Sequence, residues 1–444
     1  MQRSRRFYGE AASAFVLGRH APYTERLLFD PPSRDRGPRW VDHRQRYGEP
    51  GYGEDQGPAR LRVIRRASGD VGSEAVTNYA SWDMMSLVDV PVRYDLAQST
   101  CPPFRVGDLL DQDEVAATEL GYGRSQGGAE LRALIAAEAG IEAEHVLVTV
   151  GAVSAMFMLA QDRCGPGDHV VLATPCFPPA RIVPEGLGAR VEAVPLHFED
   201  GYRLPVVALA ESFRASTRLV SLASPQNPSG VSFTAEELQE LLTVVSDRSP
   251  DAVVLVDETY RASAYHQDAP ARSAAALSGP VVTCSSVSKA HGAPGLRIGW
   301  LTTTDPGLHQ RLSNTKSVLT SSCSTVDEVL AAALLRRRAE ILSPRAQRLG
   351  AALDELERWV EEHPVAHVRP DAGAVCCVRL DPDVVPDGTV GAFYEALADR
   401  DVRVAPGRWF GEDERVFRVG FGHLAPADFT EALSRVGDAL LAHT

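Results

Sequence analysis

Only two lysines, Lys289 and Lys316, occur in this chain of 444 residues, against 43 arginines. A lysine amine can lose its proton and form an imine, which a guanidinium cannot do. Where coding bias has replaced nearly every lysine by arginine, the survivors are candidates for positions at which arginine cannot substitute. Lys289 closes the cluster Ser285-Ser-Val-Ser-Lys289, which follows an apolar run. Two more apolar runs end in Ser224-Pro-Gln-Asn-Pro-Ser-Gly230 and Asp257-Glu-Thr-Tyr260. If these runs are strands of one parallel sheet, the three clusters lie side by side beyond the strands' carboxyl ends, where such sheets bind ligands.

Several chemistries could use that rim. Val253–Asp257 followed by Glu258 has the shape of a Walker B strand, but neither lysine stands in the GxxxxGK[ST] loop that a nucleotide triphosphatase needs. A dinucleotide site needs G-x-G-x-x-G directly after a strand; Val150-Gly151-Ala152-Val153 has one glycine, and Gly121-Tyr122-Gly123 follows no strand. The 12 histidines form no HExxH or clustered ligand set, so no metal is expected. A pyridoxal phosphate enzyme uses every piece. Its aldehyde needs Lys289 for a Schiff base, and its pyridine nitrogen needs a carboxylate such as Asp257. Its phosphate needs amides at a helix start, which Gly151-Ala152-Val153 can supply, and its ring needs an aromatic cover such as Phe177.

The elements that must position these groups follow from hydrophobic patterning. Strands are expected at His145–Val150, His169–Ala173, Leu219–Ala223, Ala252–Asp257, Val281–Ser285 and Ile298–Thr303. Helices are expected at Ala152–Arg163, at Thr234–Ser246 with a Thr234/Glu237 capping box, at Val326–Ile341 and at Ala346–Glu362. Continuous apolar strands joined by helices imply a mostly parallel sheet covered on both faces. Short strands at Ala374–Leu380, Val402–Val404 and Val416–Phe421 make the C-terminal part an α+β module. The adjacent Cys376–Cys377 suit packing in such a strand, and Lys316, between helix signals, is expected in solvent.

Composition narrows the classes further. The net charge is −14, with 14 Arg against 8 acidic residues in 1–66 and the remainder of the chain at −20, which argues against nucleic-acid binding. No apolar run reaches about 18 residues, so no membrane span is expected. The N-terminus lacks the apolar core of a secretory signal, and seven cysteines without CxxC spacing suit free thiols in a reducing cytoplasm. Pro- and Gly-rich, Arg-studded residues 1–70 are expected to be a poorly ordered extension whose simplest role is that of a dispensable tail.

Four motifs in order, NPSG at 227–230, DETY at 257–260, SVSKAHGAPGLRIGW at 286–300 and FRVGFG at 417–422, resemble the class I/II aminotransferases, the fold type I pyridoxal phosphate family. The block Leu120-Gly-Tyr-Gly-Arg-Ser-Gln-Gly-Gly-Ala-Glu-Leu-Arg132 is similar to the segment preceding that family's large domain, and the likeness spans Leu120 to Gly422. It implies a seven-stranded, mostly parallel sheet in a large cofactor-binding domain, 116–344. A small α+β domain, 345–444, would be joined by an N-terminal segment, 71–115. It also implies roles. Lys289 would carry the cofactor and then move the Cα proton through a quinonoid. Asp257 would pair the pyridinium, and Tyr260 and Asn227 would bond the ring oxygen. Ser286 and Arg297, with the amides of Ala152 and Val153, would bind the phosphate. Tyr122 would reach the phosphate of a neighbouring subunit, implying a cytoplasmic homodimer with composite sites. Arg418 would clamp the carboxylate of an amino acid, with a keto acid as second substrate. Ser99 stands where the family has a glycine beside the substrate, Val153 where it often has Ser or Thr, and His291 where it usually has an aromatic. The side-chain pocket is expected around Tyr79, Trp82, Arg124 and Ser99.

The family resemblance implies transfer of the α-amino group of an L-amino acid. A shorter likeness, in Ser73-Glu-Ala-Val-Thr-Asn-Tyr79 and Pro406-Gly-Arg-Trp-Phe-Gly411, is to capreomycidine-synthase-like and arginine-modifying enzymes of antibiotic biosynthesis. That branch implies lyase, cyclase or oxidase chemistry instead.

Overall fold

The computed structural model describes residues 79–266 and 269–441. The expected N-terminal extension, and all of Ser73–Tyr79 except Tyr79, lie outside the described residues. A short strand, β1 (Tyr94–Asp95), is followed by the seven strands of the main sheet. These are β2 (Val146–Thr149), β3 (His169–Thr174), β4 (Arg190–Pro195), β5 (Thr217–Ala223), β6 (Val253–Asp257), β7 (Val281–Ser286) and β8 (Gly299–Thr302). Their order is β2-β8-β7-β6-β5-β3-β4. The pairs from β7 through β4 are parallel, and β8 runs antiparallel to both its neighbours.

Alternation along a strand sends successive side chains to opposite faces. In β6, Val254 and Val256 pack with Leu238, Leu241, Leu242 and Val245 of the helix Ala235–Arg248. Val253 and Leu255 pack on the other face with Met156 and Leu159 of the helix Gly151–Arg163 and with Leu308 and Leu312 of Pro306–Leu319. Each such buried aliphatic contributes about 1.5–3 kcal/mol, so continuous apolar strands need helices on both sides. Thr234 caps its helix, its hydroxyl accepting from the Glu237 amide at 3.1 Å while the Glu237 carboxylate accepts from the Thr234 amide at 2.8 Å.

The C-terminal part holds β9 (Val365–Val368), β10 (Val375–Leu380), β11 (Val402–Arg403), β12 (Ala405–Pro406) and β13 (Val416–Gly420). An antiparallel sheet runs β12-β13-β10-β9, while β11 pairs in parallel with β1. Tyr94, Leu96 and Cys101 therefore join Leu349, Leu353, Phe393, Phe417 and Phe429 in one core. All seven cysteines are free and buried. No helix among the described residues is long and apolar enough to cross a membrane.

Three readings of the sequence need correction. Strands β4 and β9 went unread because each is the edge of its sheet and mostly exposed or half-exposed, so neither shows a continuous apolar run. The helices expected at Val326–Ile341 and Ala346–Glu362 are Thr325–Arg336 and Arg338–Glu362, divided at Arg337. The second runs through Pro344 because Ile341 and Leu349, on either side of it, are both anchored in core. Lys316 is not in solvent: it is 1% exposed, its amine has no hydrogen-bond partner, and burial pulls its pKa down.

Candidate active site

The ends of β5, β6 and β7 are zipped into one rim. Ala223 pairs with Asp257, and Asp257 with Cys284. Beyond the pairing, the Ser224 amide donates to the Asp257 carbonyl at 3.0 Å, and the Glu258 amide to the Cys284 carbonyl at 2.8 Å. The three polar clusters are thus neighbours. Asp257 faces a narrow cavity lined also by Met156, Phe177, Ala223 and Gln226. Its Oδ1 accepts from the Thr259 amide at 3.0 Å and from the Thr259 hydroxyl, which fixes the carboxylate plane. Burial pushes its pKa up, with Thr259, Cys284 and the Lys289 charge opposing. Such a carboxylate favours a nearby cation or protonated nitrogen. Glu258 turns the other way, into a buried ion pair with Arg261 at 3.1 Å that also engages Ser273 at 2.7 Å. It holds the turn together, so the DE pair serves no metal-bound nucleotide.

Lys289 sits in the turn after β7. Its Nζ donates to Ser99 Oγ at 2.8 Å and lies 6.0 Å from the centre of the Tyr260 ring. Burial, the Arg418 charge and the Arg297 charge pull its pKa down to about 7, against the pull of Asp257. A large share of the amine is therefore neutral, as a nucleophile or base must be. Tyr260 is buried, and burial raises its pKa against the Arg418 charge and the neighbouring Ser99 hydroxyl.

Arg418, on β13, is 1% exposed. Nη1 donates to Asn227 Oδ1 at 2.7 Å and Nη2 to the Ala97 carbonyl at 2.5 Å, while Nε is buried without a partner. Its guanidinium lies 4.8 Å from the centre of the Phe410 ring. All its acceptors are neutral, so a full positive charge is held in a buried site with three of its five N–H donors, the one on Nε among them, left over. That is a receptor for a small anion such as a carboxylate.

A second anion site is built at the start of the helix Gly151–Arg163, where Ala152 and Val153 fall in the first turn. Gly151 has φ +73°, and a Cβ there would lie 2.5 Å from Nη2 of Arg297, so that guanidinium rests against the helix start. Arg297 is itself left-handed, φ 51°, in the turn before β8. Ser286 ends β7, its hydroxyl accepting from the Ser288 amide at 3.3 Å. Helix amides plus a guanidinium form a phosphate cradle.

The remaining expected residues fall as follows. Phe177 meets Trp82 edge-on, ring centres 5.6 Å apart, and Tyr79 meets Phe157 at 6.3 Å. Arg124 is exposed, and Tyr122 is 95% exposed, so within one chain the Tyr122 ring is not brought to the Lys289 cluster. The loop carrying Tyr122 is tied down by Thr325, whose hydroxyl donates to the Gly121 carbonyl at 2.8 Å. Sequence reasoning missed Thr259, Ala97 and Phe410. Thr259 lies inside the Asp257–Tyr260 motif and was legible there; a main-chain acceptor such as Ala97 has no side-chain signature.

Comparison with known proteins matches residues 94–436 to the family model described as aminotransferase class I and II. The chain is 28% identical to capreomycidine synthase of Streptomyces vinaceus over 370 residues, covering 79% of this chain and 90% of that protein. It is 31% identical to arginine–pyruvate transaminase of Pseudomonas aeruginosa over 280 residues, 61% of this chain and 68% of the relative. A solved PLP-dependent aminotransferase from Streptococcus suis shares the fold at TM-score 0.74, with 23% identity, covering 82% of this chain and 97% of its own.

Proposed function

The chain belongs to the class I and II aminotransferase family, and from that premise we propose that it transfers the α-amino group of an L-amino acid to a keto acid. The family's cofactor is pyridoxal 5′-phosphate, and the residues present fit it. The phosphate cradle at Gly151, the buried Tyr260 hydroxyl and the aromatic-walled cavity at Asp257 suit its phosphate, its ring oxygen and its ring. Bound there, it supplies an electron-withdrawing ring that acidifies the substrate's Cα–H.

In this reading Lys289 would hold the cofactor, and its neutral amine would take the substrate's Cα proton. Asp257 keeps the ring nitrogen protonated. Asn227 and Tyr260 bond the ring oxygen, and Phe177 covers one ring face. Ser286, Arg297 and the amides of Ala152 and Val153 bind the phosphate. Arg418 takes the substrate carboxylate through its unused edge. Tyr122, fully presented to solvent, serves the phosphate site of a second copy, making a homodimer with composite sites, in the cytoplasm. What carries the reading is the buried Arg418, charged, held by neutral groups and left with a free donor, in the same cluster as a Lys289 amine pulled down to about 7.

A second reading is favoured by the 370-residue match to capreomycidine synthase: cyclisation, elimination or oxidation of an amino acid, in antibiotic biosynthesis. One experiment separates them. Each common amino acid is incubated with the loaded enzyme, with and without a 2-keto acid, and the products are identified by mass spectrometry. Turnover that needs the keto acid, and converts it to the matching amino acid, supports transfer. Turnover without it sinks transfer in favour of the second reading.

A further inference from the structure

Resting on the cofactor reading above, we propose that Ser99 is a positioning residue: its hydroxyl bonds the Lys289 amine and holds it in one orientation while it carries the substrate's Cα proton. Ser99 Oγ lies 2.8 Å from Nζ and the side chain is 5% exposed. Its backbone has no freedom to drift. The Ala97 carbonyl accepts from Arg418 at 2.5 Å, and the Leu96 carbonyl accepts from the Gly420 amide at 2.5 Å. The Gln98 carbonyl is pressed so close to Gly420 that a Cβ there would stand 1.8 Å away. Two residues past Ser99, the Cys101 amide donates to the Lys289 carbonyl at 3.4 Å. Residues 96–101 therefore grip the carboxylate clamp at one end and both the main chain and the amine of Lys289 at the other.

A hydroxyl is the group this position calls for. The charged groups acting on the amine are Asp257, Arg418 and Arg297, and the Tyr260 ring flanks it. Asp257 is already engaged by Thr259, and the two guanidiniums repel an ammonium. A carboxylate at position 99 would lock a proton onto the amine, and a cation would strip it. A serine hydroxyl offers one donor and two acceptor lone pairs. It accepts an N–H from the ammonium, and after rotation it donates to the lone pair of the neutral amine. The contact thus survives both protonation states. With the cofactor bound, the amine's lone pair would form an N–H bond as the Cα–H bond breaks, and the carbon's electron pair would pass into the cofactor's ring. The nitrogen would then give a proton to the cofactor carbon that Lys289 had held, or exchange it with water, while Ser99 remains bonded.

The two-lysine composition makes the test direct. Protein grown on lysine carrying 13C at Cε gives two side-chain signals, and K289A identifies one of them. In the cofactor-free protein the Lys289 signal titrates near 7. The bond to the ammonium is charge-assisted and so the stronger of the two, and its loss in S99A lowers that midpoint by about one pH unit, a tenfold fall in proton affinity. S99T, which keeps the hydroxyl, restores it. In the loaded enzyme at saturating amino acid, exchange of the Cα hydrogen slows about tenfold in S99A and recovers in S99T. An unchanged midpoint and exchange rate in S99A overturn the proposal. Failure of the wild-type protein to take up pyridoxal phosphate sinks the parent reading instead, and the titration still decides whether Ser99 governs the amine.

Discussion

The Asn227 carboxamide and the Arg418 guanidinium meet at 2.7 Å across 191 residues of sequence, joining the loop after β5 to the middle of β13. Because the carboxamide is neutral, it orients the guanidinium without cancelling its charge. The clamp is aimed and still available to an anion.

Removing that aim has a measurable cost. A hydrogen bond to a charged group contributes about 1.5–3 kcal/mol, so Asn227→Ala lowers kcat/KM for the amino acid about 10- to 100-fold. Arg418→Lys loses more, because a point ammonium cannot reproduce the fork that spans Asn227 and Ala97. Steady-state kinetics on the amino donor that the product assay identifies checks both. Activity retained within twofold in either variant refutes the clamp.

Lys289 makes a pH prediction. Its neutral amine is the reactive form, and its pKa stands at about 7. The rate at which cofactor-free protein captures pyridoxal phosphate therefore rises with pH below about 7 and levels off above it. A solvent-exposed lysine would go on rising toward about 10.4. Rapid-mixing absorbance over a pH series reads the midpoint, and a midpoint above 9 would count against the buried amine.

Gly299 is held by contact rather than by its own conformation. A Cβ there would stand 2.5 Å from the Ala152 nitrogen and 2.5 Å from the Gly151 carbonyl carbon, both main-chain atoms that cannot swing aside. Gly299→Ala must push β8 off the helix start and spoil the phosphate cradle. Cofactor affinity, measured by fluorescence titration, is expected to fall about tenfold or more, with the secondary structure seen by circular dichroism kept.

His291 is buried with neither ring nitrogen bonded. Burial, helped by Arg345, Arg261 and Arg338 and opposed by Glu138, pulls its pKa down to about 4. The unfolded chain takes up this proton as pH falls through 6.5, whereas the folded one does so only near 4. Stability fully present above 6.5 therefore drains away between 6.5 and 4. His291→Phe removes the drain. Between neutral pH and pH 5 the Tm of the variant should fall less than that of the wild type, and equal falls would refute the account.

How far could the chain be understood before folding? Lys289 and Asp257 were legible because each stands directly after an apolar strand, so local pattern alone puts it on the rim. The same patterning marked β3 and β5 through β8, and motif likeness singled out Asn227, Arg297 and Arg418. It missed β4, whose half-exposed edge position weakens the hydrophobic signal, and it misplaced Lys316, whose burial depends on neighbours brought by packing. Residue order alone says which chemical groups this protein owns and that they end its strands, since strand ends and helix starts are local properties. Which of them touch is set by the folded chain. Ala97 lies 321 residues from Arg418, and Ser99 lies 190 from Lys289. Those contacts arise because β1 pairs with β11 and the segment after it is pressed onto β13, and both depend on long-range pairing and shared core rather than on any local pattern of residues.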